Sequence, residues 1–165
     1  MDVSTTPEDA NRSKGDASFQ NDILIDRDAY TTQDMREALR EREELYRLIF
    51  NQAGDAIELV DAETLCFIEV NDTACRLLGY ERHELIGRSL LDIQVDVDEA
   101  EMRARLTRLF EIGGKIRIEN QHRCKDGRII DVQVSVQLAR LNGRDCFVGV
   151  WHDSGAQKAA RTALA

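Results

Sequence analysis

The stretch that most constrains this chain runs from Lys115 to Asp153, where three extended segments are separated by two tight turns. From Lys115 to Cys124 the residues alternate. Ile116, Ile118, Asn120, His122 and Cys124 fall on one side, and Lys115, Arg117, Glu119, Gln121 and Arg123 on the other. Side chains of a strand point alternately to opposite faces, so this is a strand with one charged face. Asp126-Gly127 predicts a type I′ hairpin turn, whose central residues need positive φ. The next run sets Ile130, Val132, Val134, Val136 and Leu138 against Asp131, Gln133, Ser135 and Gln137. Asn142-Gly143 is a second turn of the same chemistry, and Cys146–His152 is a third, mostly apolar strand. The pattern is an antiparallel meander, and the residues before it have an apolar face to cover.

Residues 1–30 are rich in Asp, Ser, Thr, Asn and Gly, and are expected to form a disordered tail. A helix is expected over 31–50, capped by Thr31 or Thr32. Met35, Ala38, Leu39, Leu45, Tyr46 and Ile49 share one of its faces, which suits either a cover for the sheet or a dimer seam. Asp55–Asp61 and Leu65–Val70 read as two short strands around Ala62-Glu63-Thr64. Asn71 then caps a helix that stops at Gly79. A longer helix is expected from Val97 to Ile112, with Met102, Leu106, Leu109 and Phe110 inward. Asp153 can cap a last helix, Ala156–Leu164, within a linker segment at 154–165.

At this point the residues carry a resemblance. Asn71-Asp72-Thr73-Ala74, continuing through Gly79-Tyr80 to Glu84-Leu85-Ile86-Gly87, resembles the N-x-A-x-x-x-x-x-G-Y-x-x-x-E-L-x-G stretch of PAS sensor domains. Lys125-Asp126-Gly127 resembles their K-D-G hairpin, and Phe147–Asp153 their final strand with its closing Asp. The resemblance places a PAS domain at 51–153. It implies an α+β fold with a five-stranded antiparallel sheet in the order 2-1-5-4-3. Helices would cover one face over a pocket, with flanking helices at both ends. Backbone pairing of Asp55–Asp61 with Cys146–His152 is the mark by which this expectation stands or falls.

The functional classes narrow quickly. A net charge of −9 presents no basic surface for nucleic acid or anionic lipid. No apolar run approaches the roughly 20 residues of a membrane span. The polar, acidic start does not resemble a signal peptide. Cys66, Cys75, Cys124 and Cys146 are too scattered for a metal knuckle and read as reduced thiols in a cytoplasmic protein. His83, His122 and His152 join no catalytic motif, and Asp92, Asp96, Asp98, Glu99 and Glu101 lack the spacing of a calcium loop. No enzyme is expected.

The family's cofactors can be weighed residue by residue. Its haem proteins place a His on the long helix, and Val97–Ile112 has none. Its light-oxygen-voltage branch needs a reactive Cys where this chain has Leu90. The residues that hold the flavin ring in that branch correspond to His122, Val132 and Trp151. No bound cofactor is therefore expected. The resemblance instead points to a ligand pocket with Asn120, His122, Val132, Val134 and Trp151 as its residues. Asn120 and His122 either recognise a small polar ligand or bond to helix backbone, and Trp151 either walls the pocket or fills it. The expected function is a sensory module that detects a small ligand or relays a signal. It would form a homodimer through its flanking helices and act on a histidine kinase, cyclic-dinucleotide enzyme or transcription regulator. The alternatives are a flavin- or other cofactor-binding redox sensor, and a protein-interaction module with a filled core.

Overall fold

The computed structural model describes residues 31–165, and the tail expected over 1–30 lies outside the described residues. The chain divides into two compact units, the first ending at Glu43 and the second spanning Glu44–Ala165. The described part of the first is the start of helix α1 (Thr32–Gln52). Thr31 Oγ1 accepts from the Asp34 N–H at 3.1 Å and the Asp34 carboxylate accepts from the Thr31 N–H at 2.8 Å, a reciprocal cap that starts the helix.

The second unit holds five strands: β1 (Ala56–Asp61), β2 (Phe67–Val70), β3 (Lys115–Arg123), β4 (Ile129–Leu141) and β5 (Arg144–Asp153). Between β2 and β3 come α2 (Asp72–Leu78), α3 (Arg82–Leu85), a 3-10 helix at Leu90–Ile93 and α4 (Glu99–Glu111); α5 (Gly155–Ala163) follows β5. The sheet order is β2-β1-β5-β4-β3, with every pair antiparallel. β1 pairs with β5 from Ala56↔Trp151 to Asp61↔Cys146, the pairing that the sequence made decisive.

Alternation sends Ala56, Glu58 and Val60 inward from β1, Val132 and Val134 from β4, and Phe147 and Trp151 from β5. Leu78, Leu85, Leu90, Ile93, Met102, Leu106 and Leu109 close over them from the helical side. Burying a Leu-sized side chain contributes about 1.5–3 kcal/mol, so this layer carries most of the domain's hydrophobic stabilisation.

Four local expectations need correction. Asn142 and Gly143 both have positive φ, as a type I′ turn requires, but at the other hairpin only Gly127 does. There the Gly127 N–H donates to Cys124 O and Cys124 N–H to Arg128 O, a one-residue-longer turn with Gly in the left-handed position. Phe110 is 49% exposed because Met102, Leu106 and Leu109 already occupy the narrow buried stripe of α4. Helix α5 starts one residue early, with Ser154 at its cap position, although Asp153 Oδ1 still accepts the Gly155 N–H. Finally, α1 has no buried residue, and Leu45, Tyr46 and Ile49 are exposed. In the single chain they do not cover the sheet.

Candidate functional site

A cavity of about 330 Å³ lies between α4 and the inner face of the sheet. Met102, Leu106 and Leu109 of α4 form one wall, and Ile116, Ile118 and Val134 of β3 and β4 the other. Four buried or half-buried polar side chains project into this space, Glu58, Gln94, Asn120 and His122, and the exposed Arg105, Arg108 and Glu119 also line it.

Glu58 sits on β1 between Ala56 and Val60 and is 4% exposed. Its Oε2 accepts a hydrogen bond from Trp151 Nε1 at 3.0 Å. Burial raises the carboxyl pKa to about 7, against the smaller opposite pull of that bond. The residue across the ladder is Gly149. A Cβ there would come within 2.9 Å of Glu58 Cγ and Oε1, so the missing side chain on β5 is what makes room for the carboxylate.

His122 is 1% exposed. Its ring meets Trp151 edge-on, with centroids 4.7 Å apart. Burial lowers its pKa to about 4, so the imidazole is neutral at ordinary pH. Its Nδ1 has no hydrogen-bond partner, the one such buried side-chain atom among the described residues. Gln94, just past the 3-10 helix, bridges to His122 through its backbone. Its Oε1 accepts from Asn120 Nδ2 at 2.6 Å.

Of the residues singled out from sequence, Asn120, His122 and Val134 line the cavity. Val132 and Trp151 are packed into the core, at 1% and 0% exposure. Trp151 nonetheless touches both polar floor residues, bonding Glu58 and abutting His122. With Val132 apolar and Trp151 engaged by Glu58, the three positions matched to flavin contacts do not assemble a ring-binding set. Glu58 and Gln94 were missed. For Glu58 the signal was present, since alternation along Ala56, Glu58 and Val60 points it inward. No group of three or more metal-ligating side chains occurs among the described residues.

The unpartnered His122 Nδ1 supports a direct expectation. A buried polar atom without a partner costs about 1–3 kcal/mol, while the aromatic contact with Trp151 returns about 0.5–1.5 kcal/mol. His122→Leu should therefore leave stability unchanged or raise it by up to about 2 kcal/mol in urea unfolding. A loss of 2 kcal/mol or more would instead mark the imidazole as a structural bonding residue.

Comparison with known proteins places this geometry. A family model for the PAS fold matches residues 44–154. A curated relative, the methyl sulfide methyltransferase-associated sensor of Methanosarcina acetivorans, is 25% identical over 127 residues, which is 77% of this chain and 13% of that protein. The chain thus spans about an eighth of that relative's length. Among solved structures, the PAS domain of an HTR-like protein from Haloarcula marismortui superposes with a TM-score of 0.66 at 25% identity, covering 73% of this chain and 98% of that one. A PAS domain from a two-component sensor histidine kinase gives 0.58 at 23% identity, covering 70% and 98%. The Rhodobacter sphaeroides LOV protein gives 0.59 at 19%, covering 76% of this chain and 74% of that one, a likeness of fold alone.

Proposed function

The chain belongs to the PAS fold family, and on that premise we propose that it is the sensory module of a signalling protein, detecting a small ligand in the cavity beneath α4. The observation that carries this reading is the pair of buried, under-bonded polar groups, Glu58 and His122, on the floor of a cavity walled by apolar side chains of α4, β3 and β4. About 330 Å³ is at the small end of the range for organic ligand sites. The ligand residues are Asn120, His122 and Val134, joined by Glu58 and Gln94, while Val132 and Trp151 support them from the core.

A route outward is supported by one residue. Next to Glu58, the Ile57 N–H donates to Asn71 Oδ1 at 2.9 Å, and Asn71 Nδ2 donates to Phe50 O and Asp55 O, both at 3.0 Å. Thr73 Oγ1 adds a bond to Ala53 O at 2.8 Å. A shift of β1 on ligand binding would therefore pull on the end of α1. The exposed stripe Leu45, Tyr46 and Ile49 fits a homodimer seam through which that pull would bias the packing of two copies. The module divides as helix 31–50, domain 51–153 and linker 154–165. A cytoplasmic setting and an effector such as a histidine kinase belong to this proposal, in keeping with the sensor relative and the kinase-derived neighbour.

Mass spectrometry of small molecules released when the purified chain is denatured tests the reading, with sedimentation reporting the dimer. A stoichiometric organic molecule, retained by the wild type and lost from His122→Leu, is expected. A cavity that releases nothing and takes nothing from a metabolite extract would favour the second reading, an interaction module whose core Trp151 has filled.

A further inference from the structure

Among the described residues two carboxyl groups are buried, and they are held very differently. Asp61 pairs with Arg144 at 2.6 Å and accepts from Thr64 and Glu63. Among the described residues, Glu58 receives only the Trp151 indole N–H, and no cation pairs with it. Enclosing a carboxylate with one neutral donor is unfavourable unless something else balances the charge. The sheet nevertheless accommodates the group, because Gly149 leaves the space its side chain fills.

The surrounding groups are acceptors. His122 is neutral and offers an unprotonated ring nitrogen. Asn120 has its amide nitrogen committed to Gln94, which leaves its carbonyl oxygen. We propose that the cavity takes a small organic cation, a primary or secondary ammonium on an apolar body, with the ammonium seated among Glu58, His122 and Asn120. This rests on the reading of the cavity as a ligand site, and names the ligand's class. An ammonium brings up to three N–H donors and the missing positive charge, and Leu106, Ile118 and Val134 receive its apolar body. An anion beside Glu58 would set two negative groups together, while the two cavity cations, Arg105 and Arg108, are exposed residues of α4. A neutral donor would leave the carboxylate charge unbalanced. The charged groups at the cavity besides Glu58 are Arg105 and Arg108 on α4 and Glu119 on β3, and Arg105 is paired with Glu101. The chain's net charge of −9 draws cations toward it.

Because burial holds the Glu58 pKa near 7, a bound cation would convert the acid to carboxylate and displace its proton. Cation affinity should therefore rise with pH from 6 to 8.

Trp151 is the chain's single tryptophan, so its indole N–H resonance reports directly on Glu58. The full chain is titrated with phenethylamine, 2-phenylethanol and phenylacetate at matched ionic strength. Phenethylamine is expected to bind at least about tenfold more tightly than the alcohol, with phenylacetate weakest, and about tenfold more tightly at pH 8 than at pH 6. Glu58→Gln should erase the amine's advantage over the alcohol. Equal binding of amine and alcohol by the wild type overturns the cationic assignment while leaving a ligand cavity in place, whether or not the variant folds. If none of the three probes moves the indole signal, the cavity reading fails together with the class drawn from it.

Discussion

Asn71→Leu should destabilise the domain by about 4 kcal/mol, roughly 1 kcal/mol for each of four backbone groups left without a partner. Asn71 is fully buried, and its side chain satisfies the N–H groups of Ile57 and Ala74 and the carbonyls of Phe50 and Asp55. One amide thus caps α2, anchors the edge of β1 and ties down the end of α1. Leucine matches its bulk and removes every one of these bonds. Asn71→Asp keeps the acceptor for Ile57 and Ala74 but loses both donors, and should fall between the two. Urea unfolding monitored through Trp151 measures the loss, with an unchanged m-value showing that the same surface unfolds. Amide exchange at Phe50–Asp55 should quicken in both variants before the core opens. A loss under about 1 kcal/mol, or exchange there that stays slow, would mean that this joint is held by packing and is no lever between sheet and helix.

The same residue shows what was readable in the chain and what was not. Its place ahead of Ala74 and Leu77 marks it as a helix cap. Its hold on Phe50 and Asp55, some twenty residues back, is a tertiary fact that no local pattern contains. The meander was legible because alternation extends over β3 and β4 and each hairpin carries Gly. The central pairing of β1 with β5 and the order β2-β1-β5-β4-β3 came from the family resemblance, since β1 has only six residues and could pair in several ways.

The site was half legible. Asn120 and His122 stood out as polar interruptions of an apolar face. Glu58 did not, because a charged residue in a short strand is ordinarily read as solvent-facing, and the glycine that makes space for it lies 91 positions later on β5. Gln94 follows the 3-10 helix in irregular chain, where no periodicity assigns a direction. Phe110 failed in the opposite sense: apolar and close to the right spacing, it falls just outside a stripe that three residues already fill.

The two titratable groups on the cavity floor, Glu58 and His122, should give opposing pH dependences, each worth about 3 kcal/mol from a shift of roughly 2.5 pH units at 1.36 kcal/mol per unit. Glu58 has its pKa raised from 4.5 to about 7, so the folded state holds this proton more firmly than the unfolded one. Stability is then greatest below pH 4.5 and is lost as pH rises toward 7. His122 has its pKa lowered from 6.5 to about 4, so the unfolded state binds this proton more readily. Its contribution is present in full above pH 6.5 and is lost as pH falls toward 4. Between about pH 4.5 and 6.5 the two slopes cancel, and the wild type should show little dependence from this pair. Relative to wild type, Glu58→Gln removes the contribution of the acid, so unfolding free energy should climb by about 1.4 kcal/mol per pH unit from pH 4.5 to 7. Relative to wild type, His122→Leu removes the contribution of the imidazole, and stability should fall at the same rate from pH 4 to 6.5. The double variant should track the wild type in slope across pH 4.5–6.5. Exposed carboxylates titrate equally in all four proteins, so the differences isolate this pair. If the single variants run parallel to the wild type, Glu58 and His122 are solvated well enough to titrate normally. The cavity would then lack the poorly solvated floor on which both its ligand and its proton linkage depend.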